Sequence, residues 1–264
     1  MFDDIVPPLI PKTVQILFLD GDRIRASGTA FFFCNYLITC HHVYWGPKNT
    51  EVVIRFCDAN PDDLRDGVNV SYPDFIEAIV KSSPEKEFDY AILDLRQIPK
   101  ERVNNFTVPV REPPSLYDPV AVIGYPFSRL RPVAHHCYVS SFFKSGPAQL
   151  MQLEGSINFG NSGGPVVALR EQAVIGYVST KEAGFTDKFW SLRESIGQNI
   201  GDLRQLQECA KDKQMVSKLL NQQEQLQQIC DEMLRSSNTG IASAVRIQHL
   251  LREPVIRERE HLWH

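Results

Sequence analysis

A serine set among glycines is the first place in this chain where chemistry could be done. In Gly160-Asn161-Ser162-Gly163-Gly164-Pro165, Ser162 stands between residues with little or no side chain. Glycine suits tight turns that other residues resist. A serine on such a turn can present its hydroxyl while nearby backbone N–H groups aim at one point, as the stabilisation of an oxyanion requires. A serine hydroxyl is a weak nucleophile at neutral pH, so it needs a base, and the base needs an orienting acid. Leu37-Ile38-Thr39-Cys40-His41-His42-Val43 places two histidines just past a β-like run. From there an imidazole can address a neighbouring loop with one nitrogen and a carboxylate with the other. Glu87-Phe88-Asp89-Tyr90-Ala91-Ile92-Leu93 places Asp89 directly before an apolar run. Alone, each segment reads as a glycine turn, a surface histidine or a turn aspartate. Together they put histidine, aspartate and serine in that order, each at a strand edge.

The elements that must position them are β-like. Runs at 13–19, 30–33, 37–39, 51–56, 76–80, 90–95, 119–123, 135–140, 151–153, 166–169 and 173–179 are rich in valine, isoleucine, phenylalanine and tyrosine. Glycine, proline, aspartate and asparagine separate them, which reads as strand and turn. Many short strands in succession mean a sandwich or barrels rather than a parallel sheet. The pattern changes near residue 190. From Ser191 to Arg235 there is no proline, and Ile196, Ile200, Leu203, Leu206 and Ala210 recur at three- and four-residue steps. Val216, Leu219, Leu220, Leu226, Ile229 and Met233 continue the pattern, so 190–238 reads as amphipathic helix, broken in two near Lys211-Asp212-Lys213. A strand at 241–245 and a short helix at 247–252 follow, which makes the helical block an insertion before the last strand.

The bulk properties exclude several classes. A net charge of −4 over 264 residues gives no basic footprint for nucleic acid. No apolar run reaches the ~18 residues that a membrane span needs. Cysteines at 34, 40, 57, 137, 209 and 230 show no paired spacing and no zinc cluster. The start, Met1-Phe2-Asp3-Asp4, lacks the basic and apolar regions of a signal peptide, so a cytoplasmic location with reduced thiols is expected.

These segments together resemble the trypsin-like serine peptidases, and within them the bacterial Deg/HtrA branch. The branch's glycine-led strand and Thr-Asn-Ala-His-Val appear as Gly28-Thr29-Ala30 and Thr39-Cys40-His41-His42-Val43. Its Asp-x-Ala-x-Leu appears as Asp89-Tyr90-Ala91-Ile92-Leu93, and its Ile-Gly-Asn-Pro-Phe as Ile123-Gly124-Tyr125-Pro126-Phe127. Its serine motif is matched by Ile157-Asn158-Phe159-Gly160-Asn161-Ser162-Gly163-Gly164-Pro165, and its last strand by Gly240-Ile241-Ala242-Ser243. The resemblance implies a mainly β fold: a double six-stranded β-barrel of the trypsin-like type, with a long helical insertion before the last strand and a short C-terminal helix. One peptidase domain is expected over 1–264, with an N-terminal barrel at about 13–115, a C-terminal barrel at 116–182 and 239–252, and the insertion at 190–238.

The resemblance also implies roles. Ser162 attacks a peptide carbonyl, His42 shuttles the proton, and Asp89 holds the imidazole. In the family pattern the catalytic histidine directly precedes valine, which selects His42 and leaves His41 where a small residue is usual. Gly160, Asn161 and Ser162 form the oxyanion loop, and no metal or organic cofactor is needed. The pocket before the cleaved bond falls to Ser156, Ile157, Val178, Ser179, Thr180 and Lys181. None is acidic, and Lys181 stands where glycine would keep a large pocket open, so a small or medium apolar residue is expected there, unless Glu182 reaches in. Asn161 replaces the aspartate that secreted relatives pair with a new N-terminus, and Val43 replaces their cysteine. About a dozen residues follow Arg252, too few for a PDZ domain. The expected partners are a protein or peptide substrate and an activating protein, or self-association through 190–238, with no nucleic acid and no membrane. Intracellular bacterial modules of this kind serve signalling or antiviral systems, so a regulated protease is implied. A catalytically idle binding module and an esterase stay open as other readings.

Overall fold

The β-branched and aromatic runs fold as thirteen strands among the residues described by the computed structural model, which are 2–108, 114–181, 185–209, 212–237 and 239–263. The chain divides into two compact units, Met1–Glu182 with Gly240–His264, and Ala183–Thr239.

In the larger unit, β1 (Thr13–Asp20), β2 (Arg23–Phe33), β3 (Tyr36–Thr39), β4 (Glu51–Arg55), β5 (Val68–Ser71), β6 (Ile79–Ser83) and β7 (Tyr90–Leu93) form one curled antiparallel sheet in the order β5-β4-β1-β2-β3-β7-β6. Here the first half departs from the expected six strands. β5 is the added one, hidden in sequence behind the polar run Asp62-Asp63-Leu64-Arg65-Asp66-Gly67 with only two valines to mark it. The expected strand at 76–80 is also displaced. Tyr72–Glu77 folds as a helix because Ser71 Oγ accepts the Asp74 N–H at 3.2 Å and Pro73 sits in the first turn, so β6 begins only at Ile79.

The second half is a closed barrel of β8 (Pro119–Gly124), β9 (Val133–Ser145), β10 (Ala148–Glu154), β11 (Pro165–Ala168), β12 (Ala173–Lys181) and β13 (Ile241–Arg246), ordered β10-β13-β12-β11-β8-β9. Its interior holds Val120, Val122, Met151, Leu153, Val166 and Ile175, all nearly inaccessible. The first sheet closes over Ile16, Phe18, Phe31, Phe33, Phe75 and Phe106, with Phe18 and Phe75 edge to face at 5.8 Å. Each such side chain contributes about 1.5–3 kcal/mol on burial. These two cores make the strand ends rigid supports for the loops between them.

The smaller unit is a hairpin of two long helices, Asp187–Cys209 and Lys213–Ser236. The second starts where Asp212 Oδ1 accepts the Met215 N–H at 2.9 Å, at the expected break; Lys211 lies outside the described residues. The helices run antiparallel, since Arg193 meets Asp231, Arg204 meets Glu224 and Gln207 meets Ser217. Ile196, Leu220 and Cys230 fill the seam between them.

Candidate active site

The ladder between β3 and β7 brings the histidine and the aspartate together. Thr39 faces Ala91 in that register, so extending both strands by two residues sets Asp89 beside the His41–His42 step. Thr39 Oγ1 donates to the Thr29 carbonyl at 2.8 Å and ties the end of β3 to β2. A short helix, His41–Tyr44, then turns the two imidazoles apart. His42 Nδ1 lies 2.9 Å from Asp89 Oδ2, and the His42 backbone N–H donates to Asp89 Oδ1 at 3.2 Å. His41 Nε2 instead accepts Trp45 Nε1–H at 2.8 Å.

Asp89 is held with φ +49°, a left-handed conformation that aspartate tolerates better than most residues, and its N–H bonds to the Pro84 carbonyl at 3.1 Å. Its carboxylate is almost wholly buried, 2% exposed, and accepts a third bond from Ser179 Oγ at 2.5 Å. Burial raises its pKa, but the His42 hydrogen bond and charge, with the Ser179 hydroxyl, outweigh burial, and the net shift is downward. Burial likewise pushes the His42 imidazole down, and the hydrogen bond and charge of Asp89 overcome it, so the net shift is upward. The carboxylate is thus ionised and the imidazole Nδ1–H is fixed on it, leaving Nε2 as the free acceptor.

Ser162 sits in the turn before β11. Gly160 has φ +95° and Gly163 has φ +81°, and a Cβ at either would strike a backbone carbonyl, that of Tyr125 or of Thr29. Only glycine fits there. The turn is fixed from β2: Thr29 Oγ1 donates to the Gly160 carbonyl at 2.6 Å and accepts the Tyr125 N–H at 3.1 Å, while the Thr29 N–H donates to the Ser162 carbonyl at 2.9 Å. The Phe159 carbonyl accepts the Phe127 N–H at 2.7 Å, and a trans peptide then turns the Gly160 N–H the opposite way. Among the described residues neither the Gly160 nor the Ser162 N–H has an acceptor. Asn161, between them, does not add a third donor: its N–H is spent on the Asn158 carbonyl at 3.1 Å. Its side chain is fully buried, with Nδ2 3.3 Å from His135 Nε2. The Ser162 hydroxyl donates to the Ser179 carbonyl at 3.3 Å.

The sequence profile of the trypsin-like peptidase domain matches residues 25–176. This chain belongs to the trypsin-like peptidase family. No curated protein matches this trypsin-like peptidase. Among solved structures, the HtrA-type protease AlgW with a tripeptide is similar at TM-score 0.58 and 17% identity, over 99% of this chain and 64% of that one. The serine endoprotease from Yersinia pestis gives TM-score 0.51 and 19% identity over 69% and 58%. The active form of the Rv3671c protease from M. tuberculosis gives 0.50 and 20% over 67% and 74%. At these identities the likeness is one of fold, the trypsin-like double barrel.

The residues expected to line the peptidase's pocket divide into three groups. Ile157 and Val178 point into the core of the closed barrel, so their side chains form no open wall. Ser179 turns its hydroxyl onto Asp89 and so orients the carboxylate. Ser156 and Thr180 are exposed, and the side chain of Lys181 and all of Glu182 lie outside the described residues. Thr180 also borders a cavity of 410 Å³ with Asp89, Ser179, Ser243, Glu85 and Glu87. β11 pairs with β12 only as far as Tyr177, so Thr180 and Lys181 extend beyond the end of β11.

Three contributors escape a reading by residue type. Thr29 and Ser179 are unremarkable in sequence because their value lies in what the fold sets against them. Cys40 is the third. Its thiol donates to the Val178 carbonyl at 3.1 Å, and burial pushes it well above the ordinary cysteine pKa. Cys40, His42 and Asp89 bring their donor atoms within 4.8 Å of one another, a set that could ligate a metal, although His42 and Asp89 already engage each other.

Proposed function

We propose that this chain is a serine endopeptidase that cleaves protein substrates through an acyl-enzyme. The observation that carries the reading is the His42 Nδ1–Asp89 contact of 2.9 Å on a buried carboxylate, beside a serine flanked by two unspent N–H donors. Rotation of the Ser162 side chain away from the Ser179 carbonyl turns its hydroxyl towards His42 Nε2. That nitrogen takes the proton as Oγ bonds to the scissile carbonyl carbon. The carbonyl oxygen becomes an oxyanion, which the Gly160 and Ser162 N–H groups receive. Loss of one such donor costs about 3 kcal/mol of barrier. The tetrahedral intermediate collapses, the C–N bond breaks, and His42 returns the proton to the leaving amine. Water, deprotonated by the same nitrogen, then releases the acyl group and restores Ser162. Asp89 keeps the imidazole in the required tautomer and stabilises its cation.

The substrate adds as a strand along the extension at Thr180 and Lys181, where backbone bonding needs no particular side chain. A small or medium apolar residue precedes the cleaved bond, since Ser156 and Thr180 offer no carboxylate there. A protein partner that orders the oxyanion turn and frees the Ser162 hydroxyl would activate the enzyme.

The hydrogen bond from Ser162 Oγ to the Ser179 carbonyl favours a second reading, a peptidase fold that binds but does not cleave. Digesting a denatured proteome with wild type and with Ser162→Ala separates the two. New termini that depend on Ser162, enriched in small apolar residues before the cut, support the enzyme. Identical peptide sets from both proteins support the binding module, and a profile dominated by lysine or arginine overturns the stated specificity.

A further inference from the structure

The second long helix carries two heptad seams, and only one of them is used within the hairpin. Val216, Leu220, Gln223, Gln227, Cys230 and Leu234 recur at steps of four and three and lie partly or fully buried. One residue earlier along the helix runs a second series at the same steps: Met215, Leu219, Gln222, Leu226, Ile229 and Met233. The first helix does not cover it. Its five apolar members are 40–61% exposed. A sustained 3.5-residue apolar repeat is the pattern that pairs helices into a coiled coil. From Met215 to Met233 it runs ~27 Å along the helix.

We propose that this seam binds a second copy of the same helix, antiparallel and related by a twofold axis at the Glu224–Gln225 step. The register is self-complementary. With the axis there, Met215 faces Met233 of the second copy, Leu219 faces its Ile229, and Gln222 faces its Leu226, so every seam position finds a partner. The residues flanking the seam agree. Lys218, Gln225 and Glu232 lie seven residues apart along its edge and all are exposed. In the antiparallel pair Lys218 of one copy meets Glu232 of the other, twice per dimer, and Gln225 meets Gln225 beside the axis. Among the described residues neither Lys218 nor Glu232 forms an ion pair within its own chain. A parallel pair with the same seam would leave both charges opposite uncharged residues. Charges beside a seam set partner and orientation in this way.

The proposal does not depend on the catalytic reading. It is tested on the full chain by sedimentation velocity with charge-swap variants. Wild type is expected at twice the 30.0 kDa chain mass. Lys218→Glu and Glu232→Lys singly each replace two attractions by repulsions and weaken the dimer by about tenfold or more, while the double swap restores it. Helical circular dichroism of each variant shows that the hairpin is intact. Gln225→Cys should cross-link to itself with a short bis-maleimide above the wild-type background, and Leu219→Cys should not. A wild-type monomer at tens of micromolar, as expected if the seam packs on the chain's own barrels, would overturn the proposal. So would a double swap no better than the single changes, or self-cross-linking of Leu219→Cys in place of Gln225→Cys.

Discussion

Asp89 is the residue on which the site turns, because it accepts His42 and Ser179 at once while buried. Replacing it by asparagine removes the charge and admits the wrong imidazole tautomer, so kcat should fall by about 10⁴-fold with little change in folding. The pH profile should move with it. The base must be neutral, so kcat/KM rises with pH through the His42 pKa. Burial alone would lower that pKa, and Asp89 raises it above 6.5. The acid limb of wild type is therefore centred above 6.5, and that of Asp89→Asn below it, which a series of initial rates across pH checks. Ser179→Ala deletes one of the bonds that hold Asp89 ionised; kcat should drop by roughly tenfold while KM holds, a loss of about 1.5 kcal/mol of the kind a charge-assisted hydrogen bond carries.

At the scale of elements, β2 props up the serine turn through Thr29. Thr29→Val keeps the shape but strands the buried Tyr125 N–H and the Gly160 carbonyl. A buried donor left unpaired costs about 1–3 kcal/mol. Thermal unfolding should fall by roughly 3–9 °C, and kcat should fall more than KM rises as the oxyanion turn loosens. Much of this level was legible in the residues alone. The apolar runs marked all but two of the strands near their observed places, since valine, isoleucine and aromatic residues separated by turn residues have few other uses. The family pattern, with its histidine directly before valine, points to His42, and His42 is the imidazole that lies 2.9 Å from the Asp89 carboxylate. β5 escaped because two valines in a polar loop do not announce a strand. The residues suggest a strand at 76–80, and the helix at Tyr72–Glu77 takes its first two positions because Ser71 caps it and Pro73 sits in its first turn. Adjacency in sequence places Asn161 in the oxyanion loop but does not reveal that its N–H is spent on the Asn158 carbonyl. Residue type places Ser179 at a pocket wall, and only the fold, which sets it beside the residue preceding β7, shows that its hydroxyl donates to Asp89.

The whole molecule joins a double-barrel peptidase unit to a helical hairpin inserted between β12 and β13. Among the described residues Cys34, Cys40, Cys57, Cys137 and Cys230 are free thiols, so the stability of the peptidase unit is expected to rest on its two apolar cores. Adding a reductant should leave the unfolding temperature unchanged within about 1 °C, as scanning calorimetry would read; a drop of several degrees would reveal a disulfide. The proposed activity rests on Ser162 as a nucleophile served by His42 and Asp89. Mass spectrometry after incubation with a fluorophosphonate tests it most directly. One adduct is expected, mapped to the peptide containing Ser162, absent in Ser162→Ala and formed far more slowly in Asp89→Asn. An adduct that persists in Ser162→Ala, or none on the wild type even with peptide substrate present, would contradict it.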